Sequence, residues 1–153
     1  MPSRRPSPEG VLAALAAQLA ELGDPPSAGL DRGPLGLAEL QSACVDAALA
    51  AIGAGLCPQP GALRVAVRYL LDLLAGAAPG RAVEVRVPPY GAVQCMPGPV
   101  HTRGTPPNVV ETDPVTWLRL ATGDLTWQEG VEGGAIRASG PRADVSSHLP
   151  VRR

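Results

Sequence analysis

A chain of 153 residues with 45% hydrophobic and 18% charged side chains has the size of one domain with a short extra arm. Such a chain buries roughly 70% of its unfolded surface and needs no staples to hold a core. A net charge of −1 and only four aromatic residues, Trp117, Trp127, Tyr69 and Tyr90, give neither the basic footprint nor the stacking platform of a nucleic-acid binder.

All 13 basic residues are arginine, which excludes Schiff-base chemistry, covalent pyridoxal phosphate and a phosphate-loop lysine. There is no Phe, so the interior must be built from Leu, Val, Ala and the two Trp. Three cysteines without a CxxC, and two histidines in all, argue against a structural zinc site. The start, MPSRRPSPEG, is charged and lacks the apolar run of a signal peptide. The expected setting is the cytoplasm, with reduced thiols and no membrane span.

Residues 1–8 hold three Pro, two Ser and two Arg and read as a disordered arm. Leu12, Leu15, Leu19 and Leu22 then fall at helical spacing, and Gly23 ends the run. After the Pro/Gly-rich connector 24–36, a second helix is predicted with Leu37, Leu40, Cys44, Ala48 and Ile52 on one face. The third helix carries an apolar stripe of Leu63, Val67, Leu70, Leu71 and Leu74, with Arg64, Arg68 and Asp72 at i, i+4 spacing on the other side.

The period then changes from near 3.6 to 2. Val83, Val85 and Val87 alternate with Glu84 and Arg86, which predicts a half-buried strand. PPYG turns the chain into a second strand, AVQCM, and a β-hairpin is expected. A short strand around His101 and another at NVVET follow. Asp113 is a predicted N-cap, with Pro114 at the first helical position and Gly123 at the stop. Thr126 and Glu129 form a capping box for a further short helix. AIRAS is read as the last strand, and PRADVSSHLP as holding a final short helix. Helices followed by strands mixed with short helices indicate an α+β protein rather than regular βαβ repetition.

The run DPVTWLRLATGDLTW (Asp113–Trp127) with its continuation GVEGGAIRASG resembles the sterol-carrier-protein superfamily, in its bacterial orthologue branch. Asp113, Gly123, Val131, Gly134, Ile136, Ala138 and Gly140 occupy the characteristic places. ALRVAVRYLLDLL, RAVEVRVPPYGAVQC and HTRGTPPNVVETDP extend the resemblance over about residues 62–150. It implies a twisted, mostly antiparallel sheet of about five strands packed by helices, with an apolar tunnel between the two layers. The expected organisation is an arm at 1–8, an N-terminal helical extension at 9–60 and a sterol-carrier-like domain at 61–150.

The function this implies is non-catalytic lipid binding. Candidate lining residues are Leu70, Leu74, Val85, Val93, Val110, Trp117, Leu118, Leu125, Trp127 and Ile136; periodic Leu and Val are equally what a packed core requires. Candidate head-group contacts are His101, Arg103 and Asn108, against a reading in which this Pro-rich run is a surface loop and Asn108 closes a turn. Lipid, fatty acid or acyl-CoA is the expected partner. Self-association or a protein partner at the N-terminal helices is the alternative, with a core filled by its own side chains. No cofactor and no metal are expected.

No enzymatic role is expected beyond that of an accessory domain. Mycothiol-dependent maleylpyruvate isomerases share the superfamily, yet their catalysis belongs to a metal-binding helical domain, and residues 1–60 here contain no His. Asp113 is expected to cap and Glu111 to be a solvated or arginine-paired strand residue, so these two carboxylates are not read as an acid–base pair. Cys44 and Cys95 are expected to be buried and structural.

Overall fold

The computed structural model describes residues 5–24, 35–99 and 107–152. The chain divides into two compact units, residues 1–69 and 70–153. The division falls inside a helix.

The first unit holds α1 (Pro8–Glu21), α2 (Leu37–Gly53) and the first part of α3 (Pro60–Ala77). Ser7 begins α1, its side chain accepting a hydrogen bond from the Gly10 N–H at 3.1 Å with Pro8 at the first position. The buried face of α1 is Val11, Leu15, Gln18 and Leu19, while Leu12 is 39% exposed. The leucine stripe is thus turned from the predicted face, because Val11 and Leu15 share a row one residue off Leu12. These side chains meet Leu40, Cys44 and Ala47 of α2 in one core, with Val65 of α3 packed against it. Gln18 is fully buried, and its Oε1 accepts from the Gln59 N–H at 2.6 Å, just before α3.

The second unit holds the remainder of α3, then β1 (Val83–Val87), β2 (Gly91–Cys95), β3 (Val109–Thr112), α4 (Pro114–Thr122), α5 (Trp127–Glu132), β4 (Ile136–Ser139) and a 3₁₀ turn at Ser146–His148. The strands form one mixed sheet in the order β2-β1-β3-β4. β1 runs antiparallel to β2 and β3 antiparallel to β4, whereas β1 and β3 are parallel. Two of three pairings are antiparallel, as expected. Among the described residues the strand count is four, not about five. The strand expected around His101 lies outside the described residues.

Alternation sorts the sheet into two faces. Val83, Val85, Val87, Cys95, Val110 and Ile136 point to the buried side, together with Leu70, Leu71 and Leu74 of α3 and Trp117, Leu118 and Leu120 of α4 in the core of this unit. The other face carries charge in register. Arg86 stands beside Glu111 and Glu111 beside Arg137. Glu84 pairs with Arg86, and Glu111 with Arg137.

Asn108 closes the end of this sheet. Its Nδ2 donates to the Ala82 carbonyl at 2.8 Å, and its Oδ1 accepts from the Arg142 N–H at 2.9 Å. One buried amide thereby joins the segments before β1, before β3 and after β4. At the same end, Met96 adopts φ 66°, with its N–H donating to Ala78 at 2.7 Å and its carbonyl accepting from Ala82 at 3.0 Å.

Candidate functional site

The predicted lining residues all fall in the second unit, and the structure separates them by what surface they keep. A side chain that borders a void large enough for water retains accessible area. Leu70, Leu74, Val85, Trp117 and Leu118 retain none, and Val110 and Ile136 retain 1% and 3%. Their neighbours are protein on every side. Val93, Leu125 and Trp127 are half-buried and have apolar surface to offer. Leu125 and Ile136 meet over Gly130 of α5, where hydrogen leaves room for the Ile136 side chain.

Local sequence explains why the Trp-bearing helix sits where it does. Asp113 accepts from the Thr116 N–H at 3.0 Å, Pro114 begins α4, and Gly123 ends it at φ 91°. A left-handed stop of this kind favours glycine. Leu118 and Trp117 are thereby held inward. Thr126 and Glu129 make the predicted capping box: Thr126 Oγ1 accepts from the Glu129 N–H at 3.2 Å, and Glu129 accepts from the Thr126 N–H at 2.9 Å. The hydrogen bonds that the Thr126 N–H and, at 2.7 Å, the Thr126 hydroxyl donate to the Glu129 carboxylate hold that carboxyl below its usual pKa.

Of the predicted polar contacts, His101 and Arg103 lie outside the described residues. Asn108 is 3% exposed, and both ends of its amide are engaged by the main chain. It ties the start of β3 to Ala82 and Arg142 rather than closing a local turn. Glu111 is paired with Arg137 and Asp113 with its own helix, so the two carboxylates are structural, as expected. Cys44 and Cys95 are buried, and burial pushes both thiols up to about 11, which keeps them protonated and unreactive at neutral pH. Cys57 is exposed. Among the described residues no group of three or more His, Cys, Asp or Glu could hold a metal ion, and no helix is long and apolar enough to cross a membrane.

A second feature escaped the sequence reading. In the first unit a cavity of about 270 Å³ lies between α1 and α2, lined by Leu15, Leu19, Leu22, Ala43, Ala47 and Ala50 among others. Small residues at i, i+4 and i+7 on α2 leave this trough, and that spacing was visible in the sequence.

The second unit is thus an α+β module, a four-stranded mixed sheet with helices, whose buried apolar residues come from the strands, from α3 and from α4. Residues 60–151, more than half of the chain, match the family model described as bacterial SCP ortholog. The chain belongs to this family, a bacterial branch of the sterol-carrier domains. No curated protein matches it.

Proposed function

We propose that this domain binds an apolar ligand, of the fatty-acid, acyl-CoA or other lipid class, and catalyses no reaction on it. The observation that carries the reading is the family match over residues 60–151. Burial of an acyl chain yields about 0.8 kcal/mol per CH₂, so even a short apolar site gives useful affinity. Contact begins at Leu125 and Trp127, on the β4 side of the sheet, where apolar surface is kept, with Val93 on the opposite edge strand β2, and deeper entry parts the packed side chains Leu70, Leu74, Val85, Val110, Trp117, Leu118 and Ile136. Arg103 and His101 supply polar contacts to an anionic head group, and the protein works in the cytoplasm.

A second reading has its own support. Complete burial of Leu70, Leu74, Val85, Trp117 and Leu118 is what a self-filled core requires. The domain would then be an accessory module for a protein partner, or one that self-associates through the N-terminal helices.

Native mass spectrometry of the purified protein, with displacement of a fluorescent fatty acid, separates the two. A co-purified lipid and saturable displacement are expected from the first reading. Trp127→Ala should weaken displacement several-fold without lowering stability by more than about 1 kcal/mol. Arg103→Ala should weaken a fatty acid but not its neutral alcohol. A clean ligand-free mass together with no displacement would overturn lipid binding, and light scattering would then test self-association.

A further inference from the structure

We draw no further inference here: the strongest candidate, the apolar cavity between α1 and α2 lined by Leu15, Leu19 and Ala47 and edged by Asp24 and Asp46, carries nothing because no described residue shows what covers it.

Discussion

Two single positions at the end of the sheet are constrained by their surroundings rather than by their own propensity. Gly80 lies against the main chain of Met96, and a Cβ there would overlap the Met96 carbonyl; its φ of 151° also disfavours any L side chain. Gly80→Ala should therefore cost roughly 3 kcal/mol, read as a lower denaturant midpoint with an unchanged slope. Asn108→Ala removes two hydrogen bonds and leaves the Ala82 carbonyl and Arg142 N–H unpaired. A loss of about 2–3 kcal/mol is expected in the same measurement. Asn108→Asp should not rescue it, because a carboxylate accepts from Arg142 but cannot donate to Ala82. The thiols give a third check. A thiol reagent should titrate one cysteine, Cys57, in the native protein, and Cys44 and Cys95 only in denaturant. Three fast-reacting thiols would contradict the described burial.

At the scale of elements, the caps of the second unit were the most legible features of the sequence. Asp113, Pro114 and Gly123, and the Thr126–Glu129 box, act within four residues, so side-chain chemistry alone specifies them. Asp113→Ala should cost about 1 kcal/mol. The Glu129 carboxyl has a folded pKa lowered below its ordinary 4.5, so its contribution is present above that pH and is lost as pH falls through the lowered value. Thermal melts of Glu129→Gln and the parent protein should accordingly converge on acidification below pH 4.5; a constant gap would refute the linkage. The valine alternation of β1 was equally readable, since one buried face imposes period two. What could not be read was anything long-range. Neither the parallel pairing of β1 with β3 nor the rotation that buries Val11 and exposes Leu12 follows from local pattern. Asn108 was read as a candidate contact because nothing adjacent in sequence announces Ala82 and Arg142 as its partners.

For the whole molecule, the family match and the packing of the second unit bear differently on the candidate site. Of the ten apolar residues picked out in the sequence, seven are buried and three, Val93, Leu125 and Trp127, keep substantial surface. The charged face of the sheet has a different consequence. Sliding β3 along β1 by two residues would leave every valine facing the same way, so hydrophobicity cannot reject that error. The slide would set Glu111 opposite Glu84, or move it off Arg86 altogether. The Glu111–Arg137 pair sets the same kind of mark between β3 and β4: Arg137→Glu should cost about 0.5–1 kcal/mol in a denaturant melt, and adding Glu111→Arg should recover part of it through the reversed pair. The arginines and glutamates of this exposed surface thus act as a proofreading mark for strand alignment, written on the side of the sheet that contributes least to its core.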